Sequence, residues 1–96
     1  MNSENKQRVF ITVIGKDRKG VVATISSYLY QKDINIVDIN QRIMTDSYFV
    51  MSMMVDVTDM TVPMEEMSRN LETIGQDLAM QIQVQHENLF KMMHRI

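Results

Sequence analysis

Apolar positions along the chain switch between a spacing of two residues and one near 3.6, and each switch marks a new element. "RVFITVIG" (8–15) is rich in β-branched and aromatic residues and ends at a glycine, so it reads as a strand. From residue 19 to about 32 the period lengthens. Val22, Ile25, Ser26 and Leu29 recur at helical spacing, and Asp17 is expected to accept hydrogen bonds from the first free amides. "INIVDINQRIM" (34–44) returns to alternation, with Val37, Ile39 and Ile43 on one side and Asp38, Asn40 and Arg42 on the other. After the turn "TDS", "YFVMSMMVDV" (48–57) puts Phe49, Met51, Met53, Val55 and Val57 on one wholly apolar face, as a central strand requires. Pro63 suits a first helical turn, and Met64, Met67, Leu71, Ile74 and Leu78 follow along one stripe. "MQIQVQHE" (80–87) alternates apolar residues with glutamines as a fourth strand.

The order is therefore βαββαβ. Right-handed crossovers turn it into a ferredoxin-like α+β fold: a four-stranded antiparallel sheet, order 4-1-3-2, with two helices on one face. Strands one and three lie centrally, so Phe10, Thr12, Ile14, Tyr48, Val50, Ser52 and Met54 share the face away from the helices. Such a patch asks for a cover. Residues 1–7 form a polar N-terminal segment, 8–87 the domain, and 88–96 a short C-terminal helical tail. Its Leu89, Phe90, Met92, Met93 and Ile96 offer enough apolar surface to lie over a sheet face of its own subunit or of a partner.

Composition narrows the function. The 96 residues, 45% of them hydrophobic, suit one domain, and the net charge of -2 offers no basic field to nucleic acid. Cysteine is absent, which removes disulfide and thiolate chemistry. No apolar run approaches the roughly 20 residues of a membrane helix, and the polar opening "MNSENKQR" lacks the apolar stretch of a signal peptide. A cytoplasmic protein without membrane or nucleic-acid partners is expected.

The chemistry-bearing stretch is "GKDRKGVV" (15–22), at the junction of the first strand and first helix. Free amides and the helix dipole near Gly20 and Val21 favour a carboxylate, and glycine permits close approach of the backbone. Strand, this loop, helix and "DINIVDINQRIM" together resemble the ACT domain, a small-molecule-binding regulatory module. The resemblance runs from about residue 8 to the end and is in particular to the stand-alone single-ACT-domain proteins, including the UPF0237 family, whose end "HENLFKMMHRI" also resembles. Asp17, Arg18 and Gly20 match the family's usual Asp-Arg-Pro-Gly loop, while Lys19 stands at the proline. The resemblance implies that an amino acid or related carboxylate binds between two domains, the loop of one facing the second strand of the other. Asp17, Asn35, Asp38 and Asn40 have the acceptors an α-ammonium needs, and Arg18 could meet an anionic group. A homodimer is expected, and a regulated enzyme or transcription regulator could receive the signal. No cofactor is called for.

Blander roles compete. Asp17 could be a helix cap alone, Gly20 a tight helix start, Asn35 a turn residue, and Arg18 with Lys19 a solvated pair. The domain could equally serve protein interaction without a ligand. An acylphosphatase-like hydrolase would use Arg18 and Asn40, but Asp17 would repel its phosphate, so no catalytic residue is expected. The aromatics of "SYFVMSMMV" lack the basic and glycine pattern of an RNA-recognition domain. If residues 86–94 were one helix, His86 and His94 would lie about 12 Å apart along its axis, too far to share a metal within one chain. Of the 11 methionines, Met51 and Met53 fall on the predicted core face, which speaks for packing rather than copper binding.

Overall fold

The computed structural model describes residues 7–86. Within them lie β1 (Arg8–Lys16), α1 (Val21–Gln31), β2 (Asn35–Ile43), β3 (Tyr48–Asp56), α2 (Met64–Leu78) and β4 (Met80–His86). The sheet runs β2-β3-β1-β4 with every pair antiparallel, as the sequence predicts. The expected tail lies outside the described residues.

Alternation builds the core. Val9, Ile11 and Val13 of β1 face Phe49, Met51, Met53 and Val55 of β3, all buried. Against them α1 lays Val21, Ile25 and Leu29, and α2 lays Met67 and Leu71. Met51 and Met53 are thus core residues. Gly75 lets α2 sit close to β4: a Cβ there would lie 2.7 Å from the Met80 carbonyl oxygen and 3.1 Å from Ile82 Cγ1. Between the helices, Asn70 Nδ2 donates to the Tyr28 hydroxyl at 2.9 Å.

Three local readings change. Helix α1 begins at Val21 behind Gly20, whose φ of 88° is left-handed, and no side chain caps it. Asp17 lies too far upstream to cap, and its backbone N–H donates instead to the Ser47 carbonyl at 2.8 Å. Pro63, with ψ 158°, occupies the N-cap position of α2 rather than its first turn. In β2 the register against β3 shifts between Ile36 and Asp38, a bulge that removes Val37 from the ladder. Ile36, Ile39 and Ile43 consequently pair with the inward Val55, Met53 and Phe49, while Asp38, Asn40 and Arg42 pair with the outward Met54, Ser52 and Val50.

Candidate functional site

Antiparallel pairing sorts the loops to two ends of the sheet. At one end lie the β1–α1 loop, the β2–β3 turn and the α2–β4 junction, because Lys16 pairs with Tyr48 and Gly15 with Met80. At the other lie the starts of β1 and β2, where Arg8 and Asn35 both pair with Asp56. The β1–α1 loop is tied down twice at its own end. Asp17 is held by the bond to Ser47, and Arg18 Nη1 donates to the Leu78 carbonyl at 3.2 Å. A cation at the last turn of α2 is favourable because that turn leaves carbonyls without helical partners. Sequence spacing gave no signal for this contact, since 60 residues separate the partners.

Of the residues proposed from the sequence, Asp17, Arg18, Gly20 and Val21 form one group. Gly20 is exposed, and its carbonyl accepts from Thr24 at 2.9 Å as the first bond of α1. An added Cβ at Gly20 would meet only Thr24 Oγ1, at 4.0 Å, so the approach to the helix start is open.

The second group is elsewhere. Asn35 stands in the Arg8 row and Lys16 in the Tyr48 row. At about 3.3 Å per residue the eight steps between them span roughly 26 Å. Asn35 lines a shallow depression of about 440 Å³ with Tyr30, Asp33, Ile34 and Asp59. Asp38 and Asn40 lie between the two ends on the outward side of β2. The Asp38 carboxylate accepts from the Ile39 N–H at 3.0 Å, and Asn40 shares a depression of about 290 Å³ with Arg42, Met44, Val50 and Ser52. One chain therefore does not bring the loop and Asn35 together.

The β2 edge exposes apolar side chains beside its polar ones. Ile39 and Ile43, on the helix side of the sheet, are 42% and 50% exposed, and Tyr30 of α1 is 81% exposed. Helix α1 (VVATISSYLYQ) carries no charged side chain at all. Among the described residues no three His, Cys, Asp or Glu side chains cluster to hold a metal, and no helix is long and apolar enough to cross a membrane.

A lone βαββαβ unit with its loop at the start of the first helix has the architecture of ACT domains, and the comparisons agree. The ACT domain model matches residues 7–85. A UPF0237 protein of Methanocaldococcus jannaschii is 47% identical over 89 residues, covering 93% of this chain and 98% of that one. An ACT domain protein from Streptococcus pneumoniae superposes with a TM-score of 0.76 at 33% identity, over 88% of this chain and 94% of its own. A formyltetrahydrofolate deformylase from Pseudomonas syringae shares the fold alone, with a TM-score of 0.77 at 15% identity, and the match covers 83% of this chain and only 27% of the enzyme. The chain belongs to the ACT domain family and, within it, to the UPF0237 proteins.

Proposed function

We propose that the protein is a regulatory module that binds an amino acid or related small carboxylate between two of its own copies. It reports the occupancy through contacts with a regulated enzyme or transcription regulator. The observation that carries this reading is the roughly 26 Å separating the β1–α1 loop from Asn35 on one chain. A two-fold axis beside β2 would run the second copy's β2 antiparallel to the first. The partner's Asn35 end then lies beside the first copy's loop end, and each interface holds two equivalent sites.

The surface chemistry supports that pairing. Ile39, Ile43 and Tyr30 are exposed at the edge it would bury. Lys16 at the end of β1 and Lys19 on the loop would oppose Asp33 and Asp59 beside the second copy's Asn35. A ligand carboxylate would take the amides at Gly20 and Val21, and its ammonium would take Asp17 and the partner's Asn35, with Asp38 and Asn40 as further acceptors on β2.

An acylphosphatase-like reaction has less in its favour. Arg18 is directed to the Leu78 carbonyl beside β4, whereas Asn40 lies on β2, across the width of the sheet. A thermal-shift screen against free amino acids and small carboxylates tests the proposal, because a ligand of the folded dimer raises the melting temperature by linkage. A binder whose effect is lost in an Asn35→Ala variant supports it. Absence of any shift, with release of phosphate from an acyl phosphate, would replace it by the hydrolase reading.

A further inference from the structure

We propose that Met44 is an oxidation site: hydrogen peroxide takes its thioether to the sulfoxide, and Arg42 then holds the new oxygen in the depression that the two side chains share. The inference is independent of the ligand reading, because it needs one chain and no effector.

Methionine is abundant, with 11 in 96 residues, so exposure decides which of them an oxidant meets. Met51, Met53, Met67 and Met80 sit in the core at 6% exposure or less. Met54, Met60 and Met64 are half-buried, whereas Met44 is 46% exposed. Among the described residues it is the methionine most open to solvent.

The reaction is a two-electron transfer. A lone pair on Met44 Sδ attacks one oxygen of the peroxide, and the S–O bond forms as the O–O bond breaks. The other oxygen leaves as hydroxide and takes up the proton of the transferred oxygen, becoming water. Sulfur is oxidised and the peroxide reduced.

The surroundings suit the product better than the reactant. Met44 lines the depression of about 290 Å³ with Asn40, Arg42, Val50 and Ser52. A thioether accepts hydrogen bonds only weakly, so of these neighbours Val50 alone is well matched to it. The sulfoxide oxygen is a polar acceptor, and the Arg42 guanidinium, the Asn40 amide and the Ser52 hydroxyl all donate. Arg42 is the best placed of the three. Alternation puts it on the same side of β2, two residues or about 7 Å before Met44, and its hydrogen bond is charge-assisted.

Backbone contacts carry the change to the β1–α1 loop. Met44 N–H donates to the Tyr48 carbonyl at 2.7 Å, and its own carbonyl accepts from Ser47 N–H at 3.0 Å, which closes the β2–β3 turn. The Ser47 carbonyl in turn accepts from Asp17 N–H at 2.8 Å. A sulfoxide fixed by Arg42 restrains Met44 and so steadies both bonds.

The test treats the full chain with hydrogen peroxide, quenches samples with catalase over time, and maps sulfoxides by mass spectrometry. Met44 should oxidise about tenfold faster than Met51 or Met53, and faster than Met54, Met60 and Met64. Core methionines oxidised as fast as Met44 would overturn the site. Amide exchange followed by nuclear magnetic resonance tests the hold. After treatment the Ser47 and Asp17 amides of the parent should exchange about threefold slower, and those of Arg42→Ala and Met44→Leu should not change. Both side chains are exposed, so both variants should match the parent by circular dichroism. No slowing in the parent, or slowing that persists in Arg42→Ala, would overturn the role of Arg42. Slowing that persists in Met44→Leu would assign the effect to another methionine and overturn the proposal.

Discussion

Arg18 donates through Nη1 to the carbonyl oxygen of Leu78, 3.2 Å away, and so fastens the β1–α1 loop to the last turn of α2. Arg18→Ala leaves that carbonyl to water, because the contact is exposed, and should cost no more than about 1 kcal/mol. The useful readout is local: amides around Asp17 and Lys19 should exchange faster, while the core strands keep their protection. Unchanged loop exchange would mean that the bond to Ser47 alone orders the loop.

Gly20→Ala should destabilise through the backbone and not through crowding. The φ of 88° lies in the left-handed region, where a Cβ costs about 1–2 kcal/mol, although nothing closer than Thr24 Oγ1 at 4.0 Å would meet it. Gly20→Asn should lose less, since asparagine tolerates that conformation better. Urea unfolding of the pair tests this, and equal losses would point to some other cause.

Ala79 has the opposite problem. It holds φ 57° and ψ 40° as the C-cap of α2, a conformation that favours glycine. Ala79→Gly should stabilise by about 1 kcal/mol and raise Tm by about 4–8 °C in a domain of this size. A lower Tm would show that the alanine methyl contributes more than the strain costs.

Gly75→Ala should be the most damaging of these small changes. The new methyl would press on the Met80 carbonyl oxygen, a backbone atom that cannot rotate away, and overpacking of this kind costs about 1–3 kcal/mol. Denaturant unfolding measures the loss, and a neutral result would mean that α2 slides on β4 at little cost.

Ile39→Lys tests the assembly. Ile39 is 42% exposed in the single chain, so lysine there should leave Tm within a few degrees while placing a charge at the edge that pairing would bury. Light scattering should find the parent dimeric and the variant monomeric. A variant that stays dimeric would move the interface away from β2.

The element order was legible because its signals are local: strict alternation in 8–15 and 48–57, a helical stripe from Met64 to Leu78, and Pro63 at the boundary. The bulge at Val37 was not, because it exists only in the pairing with β3, and alternation counted along β2 alone puts Val37 beside Ile39. Asp17 reads as a cap by residue type, yet the left-handed turn at Gly20 moves the helix start beyond its reach. The loop and Asn35 were both visible as chemistry. Their distance was not, because it follows from β1 and β2 running in the same direction on either side of β3.

That shared direction has a consequence for any dose–response measurement. If one ligand must touch both the loop and an Asn35, half-saturation depends on how much protein is present as well as on the ligand. Diluting the protein below its self-association constant would shift the midpoint to higher ligand concentration, and adding ligand would in turn pull monomers into pairs. The cell could then set the threshold of such a sensor by expression level alone, without altering a single binding residue.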